Sequence, residues 1–194
     1  IAICPDHAAS ERQLMGFADA AMYQAKEAGR NAYAVFSDWM NDSAEQQFRL
    51  LADLRRAIGT DQLFLHYQPK IRVAGQGVSG AEALIRWRHP QQGLIPPDRF
   101  IRLAERSGVI NEIGRWALGE ACRQLRQWQD AGHESWTVSV NLSPIQFSSP
   151  HLLQEVRDAL RTHRLEPRRL VLEITESTVM RDTGGSLTLL QGMA

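Results

Sequence analysis

The stretch that decides the fold is Gly80-Ala81-Glu82-Ala83-Leu84-Ile85-Arg86-Trp87-Arg88-His89-Pro90. As a helix it would place Glu82 and Arg86 four residues apart, where a surface ion pair contributes only about 0.2–0.5 kcal/mol. As a strand it would place Glu82, Leu84 and Arg86 on one face. Helix propensity favours the first interpretation. The glycines that precede the stretch and the early stop at His89-Pro90 favour a strand over residues 80–88. The residues alone leave both open.

Composition excludes several classes of protein. Lys plus Arg and Asp plus Glu number 22 each in 194 residues, so no broad basic field indicates a binder of polymeric nucleic acid. No run approaches the roughly 18 apolar residues of a membrane span. Cys4 and Cys122 lack metal-ligand spacing, which fits a reducing cytoplasm. The start at Ile1, and the end inside a predicted helix over 187–193, lead us to expect a fragment at both ends.

From residue 64 onward, the pattern alternates between strands and helices. Strands are predicted over residues 64–69, 80–88, 137–142 and 170–175. Two helices separate the second strand from the third: one begins at Pro97, and a longer one ends before Gly132. A further amphipathic helix, with Leu152, Val156 and Leu160 on one face, precedes the last strand. This order predicts an α/β fold with a mainly parallel sheet covered by helices.

Several motifs resemble the EAL family, which are phosphodiesterases of the bacterial second messenger cyclic di-GMP. The family's namesake motif corresponds to Glu82-Ala83-Leu84, followed by Ile85-Arg86-Trp87. The other motifs occur in the family order: Tyr67-Gln68-Pro69-Lys70, Leu94-Ile95-Pro96-Pro97, Ser139-Val140-Asn141-Leu142-Ser143 and Leu172-Glu173-Ile174-Thr175-Glu176-Ser177. The resemblance covers residues 46–194. It implies the N-terminal half of a (β/α)₈ TIM-type barrel, with about four of the eight strands.

Residues 1–37 carry a second resemblance. A helix is predicted over residues 17–28 and a short strand over 32–36; periodicity alone fits a helix–strand corner of any α/β domain. The run over 18–26, with Gly29-Arg30-Asn31 after it, resembles the C-terminal end of GGDEF domains, the diguanylate cyclases. It implies that residues 1–37 are the C-terminal fragment of an α/β GGDEF domain. Residues 38–45 are then a linker that runs into a helix.

The EAL resemblance implies a metal site. Its ligands would be Glu82, Asn141 and Glu173, on three strands whose C-terminal ends converge in such a barrel. Carboxylate and amide oxygens suit Mg²⁺ or Mn²⁺, and two ions are expected in the complete site. Any one of these side chains alone could equally be an ordinary polar group near a strand end.

The resemblance also implies further site residues. Glu82 would be catalytic, and Glu176 would hold an active-site loop. The substrate contacts would be Gln68, Leu84 and Arg86, with Arg86 on a phosphate. On a straight strand, Arg86 lies about 13 Å from Glu82. The alternatives are a strand-end amide at Gln68, and an ion pair of Arg86 with Glu176 or another barrel carboxylate.

Together, the resemblances imply a cytoplasmic, bacterial, metal-dependent enzyme of the tandem GGDEF–EAL type that hydrolyses cyclic di-GMP to pGpG. A homodimer, and a membrane anchor outside these residues, are compatible with it. Two alternatives remain: an inactive EAL domain that serves as a cyclic di-GMP receptor or scaffold, and a regulatory partner of a diguanylate cyclase. The family's aspartate pair, its lysine and a further glutamate lie beyond residue 194. We therefore expect residues 1–194 alone to be inactive.

Overall fold

The structure is a computed structural model, and it describes residues 1–8, 10–27, 31–73, 75 and 77–174. The helices are α1 (Glu11–Glu27), α2 (Asp38–Ala57), α3 (Pro97–Ser107), α4 (Ile110–Asp130), α5 (Pro144–Phe147) and α6 (Leu152–Thr162). The strands are β1 (Leu63–Ile71), β2 (Val78–His89), β3 (Gly93–Ile95), β4 (Thr137–Asn141) and β5 (Leu170–Glu173), the last preceded by a 3₁₀ turn at Pro167–Arg169. The chain divides into two compact units, Ile1–Ala52 and Asp53–Ala194.

The second unit contains the sheet, whose strand order is β1-β2-β4-β5, with the short β3 also paired to β2. Strands β2, β4 and β5 are parallel, as the alternation of strands and helices predicts. Strand β1 runs antiparallel to β2. The reason is the short connection between Ile71 and Val78, because a parallel pair would need a crossover of about a dozen residues or more.

The decisive stretch forms a strand. Residues 80–88 lie inside β2, which pairs with β1 on one side and with β4 on the other. Tertiary pairing therefore overrides the helix propensity of this stretch. Within it, Ala81, Ala83 and Trp87 are buried, whereas Glu82 and Arg86 on the opposite face are partly exposed. The predicted alternation is confirmed.

The apolar face of the sheet is covered by helices. One core cluster joins Val138 and Val140 of β4 to Leu118 and Leu125 of α4, and to Leu152 at the start of α6. Burying each such side chain stabilises the fold by about 1.5–3 kcal/mol. Helices α3 and α4 confirm the prediction of two helices between the second and third long strands. The polar face of the sheet is left open, and it carries the predicted site residues.

The first unit departs from the sequence prediction. Helix α1 begins at Glu11, ahead of the predicted 17, and the hydroxyl of Ser10 caps it by accepting from the backbone N of Gln13 at 3.4 Å. The predicted strand over 32–36 is wrong, because these residues form no strand, although their backbone bonds to that of Ile1. The Ile1 ammonium donates to the carbonyl of Ala34 at 2.7 Å, and the Ile1 carbonyl accepts from the N of Phe36 at 2.8 Å.

Residues 38–45, the predicted linker, form the first part of α2. In the part of the chain that the structure describes, no helix combines the length and the apolar character needed to cross a membrane.

Candidate functional site

The three predicted metal ligands lie on three neighbouring parallel strands. Asn141 and Glu173 are the last residues of β4 and β5, and they are register partners. Glu82 lies on β2 beside β4, opposite Ser139. The Asn141 side-chain amide donates to Oε1 of Glu82 at 2.6 Å. The structure thus brings these side chains to one polar edge of the sheet.

Lys70 is a site residue that the sequence analysis missed. Its ammonium donates to Oε1 of Glu173 and to the hydroxyl of Ser139, at 2.5 Å in each case. The hydrogen bond from Lys70 lowers the pKa of the Glu173 carboxyl; burial opposes this shift, and hydrogen bonding by Ser139 reinforces it. Glu173 is therefore held in its ionised form. The alternation of β1 was the available signal, because Lys70 follows Gln68 by two residues and shares its face.

Gln68 and Leu84 face the same side of the sheet as the ligands. Gln68 on β1 is the register partner of Glu82, so its amide lies on the polar face beside the carboxylate. Leu84 lies two residues beyond Glu82 on β2 and is partly buried. Both predicted substrate contacts therefore flank the candidate metal ligands.

Arg86 lies at a cavity that opens where two strands part. The pairing of β2 with β4 ends at Ala83 and Val140, and on that side β2 is next paired only from Trp87 onward, with β3. The resulting cavity measures about 580 Å³. Its polar lining includes Arg86, Asn141 and Glu173, and its apolar lining includes Leu84, Ile113, Ala117, Leu142 and Pro144. Such a cavity suits a ligand that is partly apolar and partly anionic.

The guanidinium of Arg86 donates to the carbonyl of Ile85 at 2.8 Å. Glu176, predicted to hold an active-site loop, lies outside the described residues, and so does its alternative ion pair with Arg86.

The chemistry of the donor set fits a hard divalent cation. Glu82 and Glu173 supply carboxylate oxygens, and because the amide nitrogen of Asn141 faces Glu82, its amide oxygen remains a possible ligand. Oxygen donors of this kind suit Mg²⁺ or Mn²⁺. Within residues 1–174, excluding the gaps given above, no group of three or more His, Cys, Asp or Glu residues could hold a metal by itself.

Comparison with known sequences identifies relatives along the whole chain. The model of the EAL domain family matches residues 51–193. The bifunctional diguanylate cyclase/cyclic di-GMP phosphodiesterase MucR of Pseudomonas aeruginosa is 50% identical over 194 residues, which are 100% of this chain and 28% of MucR. The cyclic di-GMP phosphodiesterase PdeR of Escherichia coli is 38% identical over 191 residues, which are 98% of this chain and 29% of PdeR. The chain thus spans less than a third of these curated relatives.

Solved structures show the same architecture. The PaMucR phosphodiesterase in complex with c-di-GMP superposes with a TM-score of 0.72 at 52% identity, covering 75% of this chain and 59% of that one. The EAL domain of Xanthomonas citri FimX, solved with c-diGMP, gives a TM-score of 0.70 at 28% identity, covering 79% of this chain and 59% of that one. The family match extends over most of the chain and contains every strand described above. This chain belongs to the EAL domain family.

Proposed function

We propose that the chain is part of a bacterial phosphodiesterase that hydrolyses cyclic di-GMP to pGpG with Mg²⁺ or Mn²⁺. The observation that supports this most directly is the position of Glu82, Asn141 and Glu173 on three neighbouring parallel strands, with Asn141 bonded to Glu82. MucR and PdeR, whose names state this phosphodiesterase activity, support the same assignment.

Each residue of the site has a proposed role. Glu82, Asn141 and Glu173 would hold the divalent ion, and a second ion completes the proposed site. A bound divalent ion lowers the pKa of a coordinated water and stabilises negative charge on phosphoryl oxygens. Glu82 is the proposed catalytic ligand, and it contacts a second proposed ligand, Asn141, directly.

The proposed substrate lies along β2. The planar guanidinium of Arg86 can donate two parallel hydrogen bonds to a phosphate, and Leu84 offers apolar surface between Arg86 and Glu82. Gln68 can donate from the neighbouring strand. A cyclic dinucleotide has two phosphates, so a cation at Glu82 and a guanidinium farther along the same strand can each take one. Glu176 is proposed to hold an active-site loop.

We also propose the tandem GGDEF–EAL organisation, with residues 1–37 as the end of the GGDEF domain and 38–45 as the connection. MucR supports this, because it aligns over all 194 residues, including those before the EAL match, and its name states both activities. A bacterial cytoplasmic location is proposed as well, since Cys4 and Cys122 are both free thiols. A homodimer of the full-length protein remains a proposal.

Turnover by the full-length protein tests the function. With Mg²⁺ or Mn²⁺ it should convert cyclic di-GMP to pGpG, and Glu82→Gln should reduce kcat by at least about 100-fold, since it removes a ligand. Glu134→Gln, at an exposed glutamate in the turn before β4, is the matched control and should be active. If the metal-loaded wild type binds cyclic di-GMP without hydrolysing it, the proposed phosphodiesterase activity is wrong and the receptor alternative is supported.

A further inference from the structure

Arg86 and Arg88 lie two residues apart on the polar face of β2, and neither is neutralised. Arg86 donates to the carbonyl of Ile85, and Arg88 contacts an aromatic ring. Among the described residues, no carboxylate forms an ion pair with either guanidinium. Elsewhere in the second unit arginines do have such partners, as Arg115 has in Glu155. The end of β2 therefore carries uncompensated positive charge beside the proposed site.

The guanidinium of Arg88 is turned back toward the site. Its Cζ lies 4.9 Å from the centroid of the Phe64 ring, which is a cation–π contact. Phe64 belongs to β1, where it is the register partner of Arg86 rather than of Arg88. Arg88 therefore reaches back along its strand to the level of Arg86, and the ring restricts where its exposed side chain can point.

An aromatic and apolar floor lies next to the two guanidiniums. The exposed ring of His66 meets the ring of Phe64 edge-on, with the centroids 5.1 Å apart. His66 is the register partner of Leu84, so the imidazole and the leucine side chain are neighbours on the polar face. A nucleobase can stack on a floor of this kind.

Guanine fits the position of Arg88 better than a phosphate does. In the proposed function, one phosphate of cyclic di-GMP lies at the metal and the other at Arg86, so a base is the part of the substrate left for Arg88. One edge of guanine offers O6 and N7, two acceptors that a guanidinium binds through two N–H groups. Adenine offers N7 and the amino group N6 at that edge, so its donor would oppose the guanidinium.

We propose that Arg88 is a specificity-determining residue whose guanidinium, oriented by Phe64, binds O6 and N7 of one guanine of the substrate. This inference rests on the proposed function. The base then lies over His66 and Leu84, and Arg86 holds the phosphate next to it. The site thereby selects guanine over adenine at this position.

A change of single atoms in the substrate tests this contact. Replacing both guanines of cyclic di-GMP with 7-deazaguanine removes N7 and keeps O6, the ring shape and both phosphates. The ratio of kcat/KM for cyclic di-GMP to kcat/KM for this analogue is measured for the full-length protein and its variants. Calorimetric titration of the Glu82→Gln protein, with and without each change, gives the corresponding ratio for binding alone. Arg157→Met, at an exposed arginine of α6, is the matched control.

We expect the wild type to prefer cyclic di-GMP by about tenfold, the scale of one hydrogen bond from a charged donor. Arg88→Met should lower kcat/KM for cyclic di-GMP by about tenfold or more, and it should lower the ratio by about tenfold, because N7 has then lost its donor. Phe64→Leu should lower both quantities by less, since the guanidinium remains but loses its orientation. Arg157→Met should change neither.

The outcomes separate the role of Arg88 from the proposed function. If Arg88→Met lowers kcat/KM for both dinucleotides equally, Arg88 acts through its charge and the contact with the base is wrong. If Arg88→Met changes neither value, Arg88 has no part in substrate recognition. If the wild type neither binds nor hydrolyses cyclic di-GMP, the proposed function itself is wrong, and this inference with it.

Discussion

Gly114 and Gln146 lie so close together that a β-carbon on Gly114 would be 1.6 Å from Nε2 of Gln146. Gln146 is buried, and it forms a reciprocal capping box with Ser143: the hydroxyl of Ser143 accepts from the backbone N of Gln146 at 3.3 Å, and Oε1 of Gln146 accepts from the N of Ser143 at 3.1 Å. This box lies just beyond Asn141, so the contact between α4 and α5 helps to fix the end of β4.

The first prediction follows from this contact. Gly114→Ala should displace the Gln146 amide, break the capping box and lower the free energy of unfolding by about 1–2 kcal/mol. Urea denaturation measures this. Gly119→Ala, in the same helix and with nothing within 4 Å of its β-carbon, should instead be neutral or stabilising by about 0.4–1 kcal/mol. If Gly114→Ala is equally destabilising in a Gln146→Ala background, the proposed clash is not the cause.

The second prediction concerns Asp53 and His89. His89 is 3% exposed, and its Nδ1 accepts from the backbone N of Gln91 and Gln92, so Nε2 carries the hydrogen and donates to Asp53 at 3.1 Å. This bond, together with Arg56, lowers the pKa of Asp53 below its ordinary value of 3.8, although burial opposes it. Asp53→Asn should therefore cost about 1.5–3 kcal/mol of unfolding free energy near neutral pH.

The pH dependence has a defined sign. A carboxyl whose pKa is lowered by folding contributes stability that is fully present above its unfolded pKa and is lost as the pH falls through the folded one. The difference between wild type and Asp53→Asn should be constant above pH 5 or so and should shrink below about pH 4. Urea unfolding at several pH values measures it. Asp130→Asn removes the partner of Arg126 at the end of α4; it is the control and should change the unfolding free energy by about 0.5 kcal/mol or less. If Asp53→Asn lowers the unfolding free energy by the same amount in acid as at neutral pH, the ionised Asp53 is not the source of the stability.

The third prediction concerns the donor at Asn141. Asn141→Asp replaces an N–H that faces Glu82 with a second negative oxygen, so in metal-free protein it should lower the unfolding free energy, by about 1 kcal/mol or less because Asn141 is exposed. Because the added charge attracts a cation, Mn²⁺ should raise the Tm of this variant more than that of wild type. Thermal melts with and without Mn²⁺ measure both effects. Asn111→Asp, in the first turn of α4, should be neutral or slightly stabilising; an equal Mn²⁺ effect on N141D and wild type would argue against a cation at this position.

The fourth prediction concerns the two thiols. Burial raises the pKa of Cys122 to about 12, whereas Cys4 is exposed. The thiolate is the reactive form, so near pH 8 iodoacetamide should alkylate Cys4 and spare Cys122 in the native protein. Peptide mapping by mass spectrometry distinguishes them, and both should react in urea. Alkylation of Cys122 at a rate like that of Cys4 would show that the core around α4 opens readily.

Periodicity predicted most of the fold in the second unit. The alternation over 137–142 and 170–175 corresponds to β4 and β5, and Pro97 starts α3 as expected. Periodicity failed where an element was too short to show a pattern, and where the structure depends on contacts between residues distant in the sequence. Strand β3 has only three residues, and residues 32–36 pair with no strand in the part of the chain that the structure describes.

The site was only partly predictable, because its contacts join distant residues. The family motifs placed Glu82, Asn141 and Glu173 on separate strands, but no local pattern shows that Asn141 bonds to Glu82 or that Lys70 reaches Glu173. Lys70 was missed because the predicted strand stopped at Pro69. In the structure, β1 is an edge strand and continues through the proline to Ile71, since an edge position does not require every N–H.

The span of the Lys70–Glu173 contact has a consequence for folding kinetics. The two residues are 103 positions apart in the sequence, and the contact requires β1, β2, β4 and β5 to be assembled first. Contacts of such separation form late, after the entropy of closing the intervening loops has been overcome. The pair is partly exposed, so Lys70→Met should change stability only slightly. Its refolding rate should equal that of wild type, and any difference should appear in the unfolding rate. Stopped-flow chevron plots would show whether the site is the last part of the sheet to assemble.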